Sequence, residues 1–301
     1  MTNLLRTDEI PTGAHEQTRG APRASRVAVI GATAFMVLFA IYVLTPLWWL
    51  IVASSKTQTD MASTFGLWFS SKFELFHNLK ALFTQSDGAF GRWMLNSFLY
   101  AGVGGVLSTL IAVMMGYALA KYQFPGRDTL FNVVLAGILM PATALALPLF
   151  LLFGAVDLTN TFWSVFLPSL VSPFGVYLSR IFANAAVPDE ILEAARLDGS
   201  NEFRTFFTVS LRMMAPGTVT VFLFQFAQIW NNFFLPLVML QNDKLYPLNL
   251  GLYTWNSQNY LAPQLRLLVV VGSLVSIIPV IIVFLALQRF WRTGLAAGAV
   301  K

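Results

Sequence analysis

The sequence predicts an all-α, polytopic membrane protein with six transmembrane helices and both termini cytoplasmic, and three observations carry that prediction. Hydrophobic residues make up 56% of the chain and charged residues only 11%, a balance that ordinary soluble domains do not show. Six apolar stretches each supply the roughly 20 helical residues needed to cross a hydrocarbon core. Basic residues concentrate in alternate connections: with both termini inside, the inner segments hold 13 of the 19 Lys and Arg, which satisfies the positive-inside rule.

In chain order, residues 1–26 form a polar lead with Arg6, Arg19, Arg23 and Arg26, read as a disordered cytoplasmic tail. The six-helix membrane region is placed at 27–292 and a second cytoplasmic tail at 293–301. Val27 to Ala53 is free of charge and forms the first span, with Trp48 and Trp49 suited to an interfacial belt. Ser54 to Arg92 is a sizeable exterior loop, partly helical at best. Trp93 to Ala120 is the second span, in which Ala112, Gly116 and Ala120 make a small-residue stripe for close helix packing. Lys121 to Asp128 is a basic turn signalled by Pro125-Gly126.

The third span, Thr129 to Gly154, is interrupted by Pro141 and Pro148, whose freed carbonyls need other partners. The fourth, Thr161 to Phe182, contains Pro168 and Pro173, and Arg180 is expected to snorkel at its inner end. The fifth is Ala215 to Leu240. The sixth, Leu265 to Leu287, is kinked at Pro279.

The missing chemistry narrows the function classes. No Lys follows a Gly, so a Walker A phosphate cradle is excluded. Two histidines (His15, His77) and no cysteine exclude a His/Cys metal cluster, so no metal site and no catalytic residue is assigned. The six spans contain no Asp or Glu, which removes the usual parts of a proton relay. The net charge of +5 fits basic inner loops and does not imply nucleic acid. A six-span protein of this kind contains no energy source of its own.

The most charged stretch is the inner loop 187–216. Pro188 suits a first helical position, with Asp189 and Glu190 complementing the helix dipole. Ile191, Leu192, Ala194, Ala195 and Leu197 make an apolar side, and Asp198-Gly199 reads as a stop with Gly199 at positive φ. Ser200 is the expected cap of a second helix, without the acidic or amide residue that completes a capping box.

These residues carry a family resemblance. Glu193-Ala194-Ala195, Gly199 and Val209-Ser210-Leu211 are spaced as in the EAA motif of ABC importer membrane subunits, with Val209 for the usual Ile and Arg212 for the usual Pro. The stretch from Ala118 to Arg127 and the ending from Gly294 to Lys301 resemble the sugar-importer branch, specifically its maltose-permease type with a C-terminal tail. The resemblance implies a permease subunit that translocates a carbohydrate, an oligosaccharide in particular, delivered by an external substrate-binding protein. It implies two ATP-binding subunits, which bind the ATP and magnesium, and a second permease in a bacterial inner membrane.

The implied ATPase-coupling residues are Glu193, Ala194, Ala195, Asp198, Gly199 and Leu211, with Glu193 as the anchor; the plain alternative is a solvated amphipathic loop. For the tail, Gly294, Leu295, Gly298 and Lys301 would contact the ATPases, the alternative being a frayed end. In the fifth span Gln225, Gln228, Asn231 and Asn232 are amide candidates, and Gln225, Gln228 and Asn232 fall on one helix face. They either line a sugar pathway or act as interhelical glue. Tyr246, Tyr253, Trp255 and Tyr260 contact a sugar or binding protein, or form an interfacial belt. Two further functional readings stand beside the main one: a self-contained channel or facilitator, and an importer of glycerol phosphate esters.

Overall fold

Long runs of apolar side chains without charge form helices because only an internally hydrogen-bonded backbone tolerates lipid. The computed structural model describes residues 25–298, with side chains through 290, and every regular element among them is helical. Residues 1–24 and 299–301 lie outside the described residues, so the expectations of a disordered lead and of a tail contact at Lys301 fall outside them too.

Helix α1 spans Arg26–Ser54, with Pro46 inside it. Two short helices follow, α2 (Gln58–Ser63) and α3 (Leu75–Thr84), so the predicted exterior loop is more ordered than expected. Next come α4 (Ala89–Phe98), a π turn (Leu99–Val103) and α5 (Gly104–Lys121), which together make one span. Helices α6 (Arg127–Leu139), α7 (Ala146–Gly154), α8 (Phe162–Ser169) and α9 (Pro173–Ala186) lead to the charged loop. That loop contains α10 (Asp189–Leu197), α11 (Glu202–Thr205), a second π turn (Phe206–Ser210) and α12 (Leu211–Met213). The chain then closes with α13 (Ala215–Trp230), α14 (Phe234–Met239), α15 (Leu248–Ser257) and α16 (Gln264–Gly298).

Among the described residues, four helical stretches are long and apolar enough to cross a membrane: Arg26–Ser54, Ala89–Lys121, Phe162–Ala186 and Gln264–Phe290. A fifth results if Glu202–Met213 and Ala215–Trp230, bent by 83°, are taken together. The predicted third span is not continuous. It divides at Met140–Leu145, where Pro141 cannot donate and the residue before it is pushed to extended backbone; Met140 indeed has φ −74 and ψ 125. The fifth predicted span also ends early: α13 stops at Trp230, and residues 231–233, with Phe233 at φ −121, separate it from α14. The fourth is interrupted at Leu170–Ser172 just before Pro173.

The chain divides into two units at Pro46–Leu47. Within the second, α5 packs lengthwise on α9, and α13 packs on α5 and α16. The small-residue stripe explains the first contact. Ala112 is 1% exposed and Gly116 is buried; a methyl on Gly116 would lie 2.6 Å from Ser179 Cβ and 2.7 Å from both Arg180 N and Val176 O. Only a residue without Cβ allows these backbones to approach so closely.

A buried polar node crosses the same region. Gln225 Nε2 donates to Ser172 Oγ, Ser108 Oγ donates to Gln225 Oε1 at 3.4 Å, and Ser172 Oγ accepts from Gly175 N at 3.0 Å. Ser172 therefore caps α9 where the fourth span is broken, supplying an acceptor to an otherwise orphaned N–H. Arg180 does not extend outward as expected. Its guanidinium lies 3.8 Å over the Phe131 ring, a cation–π arrangement that covers charge with an aromatic face.

Candidate functional site

The charged loop is a structured projection, and its geometry follows from its sequence. Pro188 is the N-cap of α10, one position earlier than predicted; its ψ of 143 is extended, so the first helical residue is Asp189. Asp189 and Glu190 occupy the first turn and Arg196 the last, each complementing the helix dipole. Leu192 is 4% exposed and anchors the helix in a cluster with Val113, Tyr117, Val187 and Phe206.

The helix end is a Schellman motif. Ser200 N donates to Ala195 O at 2.9 Å and Gly199 N donates to Arg196 O at 3.0 Å, with Gly199 at φ +79. Both bonds satisfy terminal carbonyls, and the left-handed residue between them is the one that favours glycine. The cap of the next helix is Asn201, not Ser200: Asn201 Oδ1 accepts from Arg204 N at 2.9 Å. Ser200 Oγ instead accepts from Thr205 Oγ1 at 3.0 Å.

Two contacts brace this projection to the end of α5, and a third ties its two helices together. Lys121 Nζ lies 2.8 Å from Asp189 Oδ1, with the lysine side chain only 6% exposed. Tyr122 Oη donates to Glu202 Oε2 at 2.7 Å, and Arg196 Nε donates to Glu202 Oε1 at 2.8 Å. Arg196 first, then Tyr122, holds the Glu202 carboxyl below the usual carboxylate range. Burial, then the Glu202 bond, pushes the Tyr122 phenol up. Ser210 Oγ donates to Tyr117 Oη at 3.1 Å, tying the second π turn to the same helix. A mainly apolar cavity of about 250 Å³, lined by Met114, Tyr117, Tyr122, Glu202, Phe203 and Phe206 among others, lies under the loop.

The predicted coupling residues divide by exposure. Glu193, Ala194, Asp198 and Gly199 are exposed, while Ala195 and Leu211 are half-buried. Among the described residues Glu193 has no ion-pair or hydrogen-bond partner, whereas two other loop carboxylates, Asp189 and Glu202, are paired. Two large apolar side chains of the loop face outward: Leu197, expected on the apolar side of the helix, is 89% exposed, and Phe203, which sequence reasoning did not single out, is 72% exposed. The braced projection thus carries an unpaired carboxylate and exposed apolar side chains on the same loop. Nothing in the sequence said which way Phe203 faces.

The amides are not brought together. Gln225 is 2% exposed and used up in the buried node, whereas Gln228 and Asn231 are exposed and Asn232 is half-buried. Asn231 caps α13 and donates from Nδ2 to Ala227 O at 2.8 Å, so Asn231 and Asn232 lie past the last turn of that helix. Gln225 thus serves as interhelical glue inside this chain. The last-loop aromatics also separate. Trp255 is 4% exposed and meets Trp93 edge-on at 4.7 Å, while Tyr253 and Tyr260 are exposed and Tyr246 donates to Gln241 O at 3.2 Å. Gly294, Leu295 and Gly298 continue α16 as helix.

Comparison with known proteins agrees with this geometry. The chain is 35% identical over 285 residues, 93% of its length and 98% of the relative's, to the arabinooligosaccharides transport system permease protein AraQ of Halalkalibacterium halodurans. It is 29% identical, over 94% of its length and 98% of the relative's, to the lactose transport system permease protein LacG of Rhizobium radiobacter. Its fold is similar to a chain of a bacterial ABC transporter involved in the import of the acidic polysaccharide alginate, with a TM-score of 0.76 and 23% identity, covering 90% of this chain and 100% of that one. Residues 108–295, which contain the braced loop, match one family throughout. The chain belongs to the binding-protein-dependent transport system inner membrane components, the permease family of such importers.

Proposed function

We propose that this chain is the permease subunit of an ATP-driven importer of an oligosaccharide, with six spans and both termini cytoplasmic. The observation that carries the coupling role is the exposed, unpartnered Glu193 on a helix braced at Lys121–Asp189 and Tyr122–Glu202. The carbohydrate assignment draws on relatives named for arabinooligosaccharides and lactose. In this reading an external binding protein delivers the sugar, and a second permease completes the pore. Two separate ATPase subunits bind ATP and magnesium in a bacterial inner membrane, and hydrolysis takes place there.

Coupling requires that nucleotide binding favour one arrangement of the permease pair over the other; proximity alone transmits nothing. A rigid α10 serves this purpose because a tightly capped, cross-braced helix transfers rotation of a partner to α5 and α9 without bending. Reconstituted proteoliposomes test the proposal. Uptake of an oligosaccharide should need ATP, the binding protein and the ATPase together. Uptake by this chain alone, without nucleotide, would establish the facilitator reading instead.

A further inference from the structure

The segment between α2 and α3 carries an aromatic surface that the transport reading leaves unused. Trp68 is 65% exposed, Phe73 57% and Phe76 78%. Their rings form a chain of contacts that begins on α1: Trp48 to Phe69 at 5.7 Å, Phe69 to Phe73 at 6.1 Å and Phe73 to Phe76 at 6.5 Å. Trp68 joins this chain through Trp48 at 6.5 Å and Phe69 at 6.2 Å. Trp48 Nε1 also donates to Leu67 O at 2.9 Å.

The segment is fixed at both ends to the terminus of α1 and the two residues that follow it. Lys56 is 1% exposed, and its Nζ donates to Thr64 Oγ1 at 2.8 Å and Phe65 O at 2.7 Å. Glu74 N donates to Ser55 O at 2.7 Å, and Asn78 Nδ2 donates to Ser54 O and Lys56 O, each at 2.9 Å. A lysine that would otherwise stand at the surface has been turned inward to bond backbone and hydroxyl oxygens. What remains outward is aromatic, with Lys72 the one exposed charge between Met61 and Phe73.

We propose that residues 64–76 form a rigid aromatic platform seated in the headgroup layer of the bilayer where α1 leaves it. Two arguments select lipid as the occupant. The ring chain is continuous with Trp48 of α1, a helix long and apolar enough to cross a membrane by length and composition. Trp68 beside serines and Lys72 matches the interface, where an amphipathic indole settles between water and acyl chain, and Phe73 and Phe76 supply the apolar side that enters the acyl boundary. The internal bonds of Lys56 and Asn78 hold the platform at the depth of the α1 terminus.

The absence of cysteine makes the test clean. Nitroxide labels are placed at Trp68→Cys, Phe73→Cys, Phe76→Cys and, in the exposed turn before α4, Asp87→Cys. The full chain is labelled, then reconstituted in nanodiscs both alone and with its ATPase, second permease and binding protein. Collision rates with oxygen, which favours lipid, and with a water-soluble nickel chelate are compared. The expected result is oxygen preference at the three platform sites, nickel preference at Asp87→Cys, and no change of sign when the binding protein is added. Nickel preference at the platform sites would overturn the proposal. So would nickel access that disappears on adding the binding protein, or exclusion of both reagents, since either would make a protein the occupant.

Discussion

Replacing Gly116 with alanine adds one methyl at the tightest point between α5 and α9. That carbon would meet Ser179 Cβ at 2.6 Å and the backbone atoms Arg180 N and Val176 O at 2.7 Å. Carbon contacts settle near 3.5–4.0 Å, so relief needs the helices to part by about 1 Å, and two of the three neighbours are backbone that no rotamer change removes. Overpacking of this kind costs about 1–3 kcal/mol, offset by roughly 0.8–1 kcal/mol because alanine is the better helix former. The net is a loss of about 0–2 kcal/mol for alanine, and a larger one for valine. Gly102→Ala is the matched control, because an added methyl there meets no atom within 4 Å and only the helix benefit of about 0.5–1 kcal/mol remains. Thermal unfolding of the detergent-purified transporter should therefore rank Gly102→Ala above wild type and Gly116→Val well below it. The same order should appear in the amount of assembled complex. If Gly116→Val is as stable as Gly102→Ala, the close α5–α9 approach is wrong.

Three other outcomes are expected. Gly199 sits at φ +79 with open space around its missing Cβ, so its replacement carries a conformational cost alone, about 1–2 kcal/mol for an ordinary residue. Uptake should fall in the order Gly, Asn, Ala, Val, with hydrogen exchange in α10 rising in parallel. Gln225→Leu removes the donor to Ser172 and the acceptor of Ser108, and should lower stability by about 1 kcal/mol, the scale of polar contacts between membrane helices. Because the folded Glu202 carboxyl is held low by Arg196 and Tyr122, its bracing is fully present above the unfolded value of about 4.3 and fades as pH falls through the lower folded value. Exchange protection in α10 and α11 should thus be flat through neutral pH and drop only in acid, and Glu202→Gln should abolish that step.

The parts legible in the sequence were those set by local chemistry. Gly199 as a stop, the acidic first turn of α10 and the Ala112–Gly116 stripe all depend on residues within a turn or two, and the structure contains each. The difficulties came where a local rule has two outcomes. A proline in an apolar run either kinks or breaks the helix, and Pro141 breaks it while Pro279 stays within α16. Ser200 and Asn201 are both good caps one residue apart, and the Schellman turn uses the first, leaving the second to cap α11. Periodicity put Gln225 and Gln228 on one side of α13, but in a helix apolar nearly all round it cannot say where protein ends and lipid or water begins. The node with Ser172 and Ser108 decided that, through residues 53 and 117 positions away. Burial of Lys56 was invisible for the same reason, since its acceptors include a backbone carbonyl nine residues on.

The most direct test of the account is coupling through Glu193. In the reconstituted transporter, Glu193→Arg should leave membrane insertion and sugar binding by the external protein unchanged. It should abolish both ATP-driven uptake and the stimulation of ATP hydrolysis by the loaded binding protein. Wild-type uptake with Glu193→Arg in an intact complex would contradict the claim that this helix joins the permease to its motor.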